Sequence, residues 1–389
     1  MSERMERYPV ILVPGVLGYG DDKAVSKVFP YFGMTSAPVE SIVKEGGQEC
    51  YTASFGLLSS IWERTCELYA QIKGGQVDYG EAFAARAGID RFGKKYPGWI
   101  PDWDNDHKII LIAHGFGAPV ARLLVDLMAG GSKEEQAAPG HMLSDLFTGG
   151  KDRAVHAVVT LAGVNDGTTL LQGFEDKVPG ISKKLVQAAL KTQKIKDEGA
   201  ADAYLSGTAG NLLFDLGLDG MEAFNASVSA NPETYYIAYT GEVTKDYADA
   251  IVPKIRQKLD EFDGGYSAKS FDKRYYNKKH WEMVLPTPSA GLLAPTATFL
   301  GLFKNYLPEN PIVSFESHPN DGLVNTNTSL APSTEEAAAF QSADRCQPGR
   351  WYQMPIERKN HLAFTGFFRR PDQYRLEVRQ MLETINQLP

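Results

Sequence analysis

Short, continuously apolar runs punctuate the chain: YPVILVPG (8–15), KIILIAHG (108–115), AVHAVVTLAG (154–163) and TYYIAYTGE (234–242). They are rich in β-branched or aromatic residues and each reaches a glycine. Unbroken apolar character without polar alternation predicts strands buried on both faces. Between them, SSIWERTCELYAQIKGG (59–75) and GAPVARLLVDLMAGG (117–131) repeat apolar residues at helical spacing and stop at glycine pairs. Strands alternating with helices predict an α/β fold, a mostly parallel central sheet covered by helices on both faces.

From about Asn165 to Ala230 the rhythm breaks. VPGISKKLVQAALKTQKI (178–195) is amphipathic, with Ile181, Leu185 and Ala189 on one side. A helical insert between sheet strands suits a lid over a site, and the same periodicity also suits an ordinary surface helix. The chain therefore reads as one domain, residues 1–389, with a lid or cap insert at about 165–230. STEEAAAF (333–340) reads as a short acidic helix or loop.

Composition narrows the class. Hydrophobic residues make up 43% and charged residues 23% of the 389 positions, an ordinary globular balance. A net charge of −8, with no block of Lys or Arg, argues against nucleic acid as a partner. Cys50, Cys66 and Cys346 are too few and scattered for a disulfide framework or a Cys-based metal site. MSERMERYPVILV has no apolar core of a signal peptide, which predicts a cytoplasmic protein, although a trimmed secreted chain reads the same. AGLLAPTATFLGLF (290–303) is too short and too interrupted to be a transmembrane segment.

Candidate chemistry lies in four fragments. LIAHGFGAPVARLL (111–124) has the strand, sharp turn and helix of a nucleophile elbow, with Gly115 at the position that normally carries serine. SHPNDGLVNTNTS places Asp321 in a turn, and IERKNHLAFTG carries His361. Nucleophile, acid, histidine is the chain order of α/β-hydrolases. LVPGVLGYG (12–20) ends the first strand in a glycine-rich turn. The backbone N–H groups of Val16 and Phe116 are the expected oxyanion donors, and Leu17 is a further substrate-binding candidate. No cofactor is implied.

SSIWERTCELYAQIKGGQVDYGEAFAARAGIDRFGKKYPG (59–98), DGTTL (166–170), NPETYYIAYTGE (231–242), NDGLVNT (320–326) and NHL (360–362) resemble the thermoalkalophilic lipases of the Geobacillus and Staphylococcus type. The resemblance implies an α/β-hydrolase with Asp321 as acid, His361 as base and Gly115 in the serine position. It implies a hydrophobic ester, thioester or polyketide-like substrate. That family's structural zinc positions read Glu63, Phe83 and Ile89 here, with Asp215 or Asp219 as the fourth, and its calcium positions read Ala363 and Phe368-Arg369. Both sets lack the necessary ligands, so no metal is expected.

Three readings of Gly115 follow: an inactivated lipase-like ester hydrolase or acyltransferase, a natural enzyme using the Asp321–His361 pair for acid/base work as a cyclase or lactonase, or a non-catalytic binding protein. The missing side chain is expected to leave room beside His361 for a water or a substrate hydroxyl.

Overall fold

The computed structural model describes residues 7–20, 22–139, 142–177, 179–192, 199–207, 210–246, 284–301 and 319–389. Among the described residues there are eleven strands: β1 (Val10–Val13), β2 (Cys50–Thr52), β3 (Gly75–Asp78), β4 (Phe92–Tyr96), β5 (Ile109–His114), β6 (Val155–Leu161), β7 (Tyr235–Tyr239), β8 (Thr244–Asp246), β9 (Val284–Pro286), β10 (Ala337–Ala339) and β11 (Trp351–Gln353). Seven form one sheet in the order β10-β11-β7-β6-β5-β1-β2, and every pairing in it is parallel. β3–β4 and β8–β9 are separate antiparallel pairs.

The four apolar runs supply β1, β5, β6 and β7, the centre of the sheet. All six residues of β5 are buried, as a strand covered on both faces requires. β2, β10 and β11 are each three residues long and carry no such run. The stretch expected to be a helix or loop at 333–340 contains β10, an edge strand recruited by pairing with β11. Backbone pairing can extend a sheet through a segment whose own propensity is weak.

Helices α1 (Val39–Glu45), α2 (Ile61–Lys73), α3 (Glu81–Ala87), α4 (Gly117–Gly130) and α5 (Lys133–Ala137) precede the insert. α2 begins with a capping box: Glu63 N–H donates to Ser60 Oγ, and Ser60 N–H donates to the Glu63 carboxylate. One face of the sheet packs Leu111 and Ala113 against Leu68 of α2 and Leu124 of α4. The other packs Ile110 and Ile112 against Ile42 of α1 and Val378 of the C-terminal helix.

The region after β6 is helical: α6 (Leu170–Lys177), α7 (Ile181–Thr192), α8 (Ala200–Ser206), α9 (Leu212–Leu216) and α10 (Leu218–Asn225). In α7 the residue facing inward is Val186, while Leu185, expected on the apolar side, is 48% exposed. Residues 178 and 193–195 of that amphipathic stretch lie outside the described set. α11 (Ala294–Gly301) covers much of the apolar 290–303 run, of which 302–303 lie outside it, and α12 (Pro371–Asn386) closes the chain.

Candidate active site

The elbow forms where β5 enters α4. Gly115 has φ +53°, in the left-handed region where a residue with a Cβ is strained. Its N–H donates to Leu161 O at 3.0 Å, and its carbonyl accepts from Ala118 and Val164 N–H, both at 3.1 Å. The turn is thereby tied to α4 and to the chain leaving β6. A Cβ on Gly117 would lie 2.3 Å from Val13 O, so the close approach of α4 to β1 requires glycine there.

Asp321 is fully buried in its turn, with Oδ1 accepting from Leu323 and Val324 N–H at 3.0 and 2.8 Å. Those bonds leave Oδ2 to accept from His361 Nδ1 at 2.8 Å. His361 N–H also donates to Asp321 O at 3.0 Å, so main chain and side chain both fix the pair. Nε2 of the imidazole then faces the elbow. A Cβ on Gly115 would sit 2.9 Å from Nε2 and 3.3 Å from Cε1. Gly115, Asp321 and His361 thus converge. The room expected beside His361 is in part taken by the imidazole itself, which approaches closer than a side chain at position 115 would permit.

The turn after β1 lies alongside. A Cβ on Gly15 would be 3.4 Å from the Phe116 nitrogen, which brings the two expected oxyanion loops together. Among the described residues neither Val16 nor Phe116 N–H has a hydrogen-bond partner. The Phe116 ring is buried, Val16 is half-buried, and Leu17, at φ +60°, is 69% exposed. Leu293 packs against Gly322, next to Asp321, and its neighbour Leu292 is 70% exposed. Exposed apolar side chains therefore stand beside the Gly15 turn and near the Asp321 turn.

Three supporting residues escaped the sequence reading. His114, just before Gly115, is buried; one ring nitrogen meets Tyr31 OH at 2.8 Å and the other donates to His361 O at 3.1 Å. Burial, and then the neighbouring His361 charge, hold its pKa well below the usual histidine value, so it remains neutral. Tyr31 OH also accepts from Gly15 N–H at 3.3 Å, and burial pushes its pKa up, keeping it a proton donor to His114. One chain of bonds thus joins the Gly15 turn, the elbow strand and the His361 loop. Arg64, fully buried on α2, donates to the carbonyls of Ser59, Gly15 and Gly56 at 2.8, 3.1 and 3.3 Å and lies 5.3 Å from the Phe55 and Phe116 rings. In the sequence it was one charge on a helix; position in the fold makes it the brace of the Gly15 turn.

At the positions the resemblance assigned to zinc, Glu63 accepts from Ser60, Asp215 Oδ2 accepts from Ile61 N–H at 2.8 Å, and Phe83 stacks on Trp62 at 5.4 Å. Ile89 is half-buried and Asp219 is exposed, so Asp215 is the acid that faces this corner. Burial raises the Asp215 pKa to about 7, with the Glu63 charge adding to the shift. At the calcium positions, Ala363 is buried, Phe368 is exposed and Arg369 pairs with Glu377. Among the described residues no cluster of three or more His, Cys, Asp or Glu could hold a metal.

A family profile described as "Lipase-like, C-terminal domain" matches residues 6–189. Lipase 1 of Staphylococcus aureus is 28% identical over 384 residues, covering 92% of this chain and 50% of its own length. Lipase 2 of Staphylococcus aureus is 32% identical over 265 residues, 61% of this chain and 38% of that protein. The chain spans about half the length of the curated relatives it matches. EstA from Clostridium botulinum superposes with a TM-score of 0.76 at 27% identity, over 100% of this chain and 90% of that one. Staphylococcus hyicus lipase gives 0.76 at 24% identity, over 99% and 96%. The fold is that of an α/β-hydrolase, and the chain is homologous to the staphylococcal lipases.

Proposed function

We infer that the chain carries a carboxylic-ester site of the lipase type in which Gly115 has removed the covalent route and left the acid, the base and the oxyanion donors. The observation that carries this reading is the 2.8 Å bond between His361 Nδ1 and Asp321 Oδ2, which turns Nε2 toward the elbow. The substrate class is a hydrophobic ester or thioester, supported by the homology to lipases and by exposed Leu17 and Leu292 near the Gly15 and Asp321 turns. The helical insert serves as the lid, since it starts just beyond Val164, which is bonded to the elbow. Among the described residues no helix is long and apolar enough to cross a membrane.

Without a serine hydroxyl no acyl-enzyme forms on this turn. The remaining groups perform direct hydrolysis: a water oxygen bonds to the carbonyl carbon while Nε2 of His361 takes its proton. Asp321 stabilises the resulting imidazolium. Val16 and Phe116 N–H bind the oxyanion, whose collapse breaks the ester bond as the imidazolium returns the proton to the leaving alcohol. Triad sites stripped of their nucleophile retain roughly 10³-fold catalysis over water, which sets the scale of turnover expected.

Gly115→Ser tests the reading. The variant should hydrolyse p-nitrophenyl butyrate and react with a fluorophosphonate probe, and adding His361→Ala should abolish both. A folded Gly115→Ser protein inert to ester and probe alike refutes it.

A further inference from the structure

Behind the site, on the α1/α12 side of the sheet, lies a cavity of about 300 Å³. Ile112 and Leu161 line it from the strands, Val378 and Met381 from α12, and Phe32 and Phe364 also line it. Most of its lining is hydrocarbon, with Tyr239, Gln380 and Thr384 adding neutral polar groups, and among the described residues its charged groups are Glu357, Lys359 and Glu377. An apolar cavity of about half the volume already takes up benzene from water. Met381 adds a side chain able to adapt to a guest.

The charges say which head group fits. Lys359 Nζ lies 2.6 Å from Glu357 and 2.9 Å from Glu377, and Glu377 also pairs with Arg369. Each charge is thus already matched. With Arg369 the two acids and two bases sum to zero, so an added carboxylate or ammonium would enter a mostly apolar cavity with no net opposite charge to compensate its desolvation. A hydroxyl can add to the network without breaking it.

The cavity also abuts the active-site framework from behind. Phe32 meets the His114 ring edge-on at 6.5 Å, and the His114 and His361 rings lie 4.4 Å apart. Phe364 belongs to the same helical turn as His361.

We propose that this cavity is a second binding site, for an uncharged linear aliphatic alcohol, and that its occupant presses on the Phe32–His114–His361 tier. The site is distinct from the ester cleft in front of Gly115 and does not depend on the reading of that cleft.

The test uses 1-octanol, octanoate and octylamine in calorimetric titrations, and crystals soaked in 8-bromo-1-octanol. One equivalent of octanol should bind, the two charged analogues at least tenfold more weakly. Anomalous scattering should place the bromine between α12 and β5, and the imidazole ¹⁵N signals of His114 or His361 should shift. Val378→Phe, which fills the cavity, should weaken octanol at least tenfold. Bromine found only in the cleft beside Gly115, octanoate binding as well as octanol, undiminished octanol binding to folded Val378→Phe, or unmoved imidazole signals would overturn the proposal. If Val378→Phe does not fold, the bromine position decides.

Discussion

Replacing Asp215 by asparagine should make the protein more stable at pH 8 and leave a smaller gain at pH 4. The carboxyl is buried where α9 of the insert meets the start of α2, and its folded-state pKa is about 7 against an ordinary 3.8. For an acid whose pKa is raised by folding, the stabilisation is complete below the unfolded pKa and disappears as pH climbs through the folded one. The window here runs from about pH 4 to about pH 7. A shift of roughly three units corresponds to about 4 kcal/mol at about 1.4 kcal/mol per unit. Because Glu63 shares the burden, a change of about 2–4 kcal/mol belongs to this site. Asparagine has the same shape and keeps an oxygen to accept from Ile61 N–H, at 2.8 Å in the parent. Urea unfolding of parent and Asp215→Asn at pH 4, 5, 6, 7 and 8 measures the difference directly, because titrations elsewhere in the molecule cancel. A gap that stays constant over that range refutes the argument, as does a gap that widens toward acid.

Gly115→Ala places a Cβ at φ +53° and 2.9 Å from His361 Nε2; the backbone strain of about 1–3 kcal/mol should lower Tm by roughly 1–4 °C for a chain of this length. Calorimetry showing no loss would mean the turn is not held as described. Arg64→Leu leaves three carbonyls and a buried pocket without their cation. It should cost about 3–5 kcal/mol by chemical denaturation, with Arg64→Lys only a partial rescue because an ammonium lacks the planar fork. EDTA should leave Tm unchanged and elemental analysis should find less than one equivalent of zinc or calcium; a chelator-dependent fall in Tm would show a metal site that Phe83 and Ala363 argue against.

The order of the four apolar runs and the helices between them was readable because burial on both faces demands continuous hydrocarbon, which is a local property of a stretch. The same holds for the elbow: glycine at 115 and 117 and an apolar helix behind them are features of consecutive residues. Asp321 and His361 were legible through chain order and context. Their 2.8 Å bond was not, since a separation of 40 positions along the chain says nothing of the distance.

The short strands β2, β10 and β11 were invisible because three residues carry no periodicity, and only pairing along an existing edge makes them strands. Leu185, expected on the apolar side, is exposed because a helix's buried side is chosen by what packs against it. Tyr31, Arg64 and His114 gained their roles from distant partners: a tyrosine 83 residues from its histidine, an arginine 49 residues from the turn it braces. The sequence by itself determined the layered α/β architecture and the glycine at the centre of the elbow turn, both matters of residue type and local pattern. Tertiary structure alone decided that His361 leans over Gly115, that Asp215 and Glu63 share a buried corner and that a cavity remains under α12, because packing of segments far apart in sequence sets those distances.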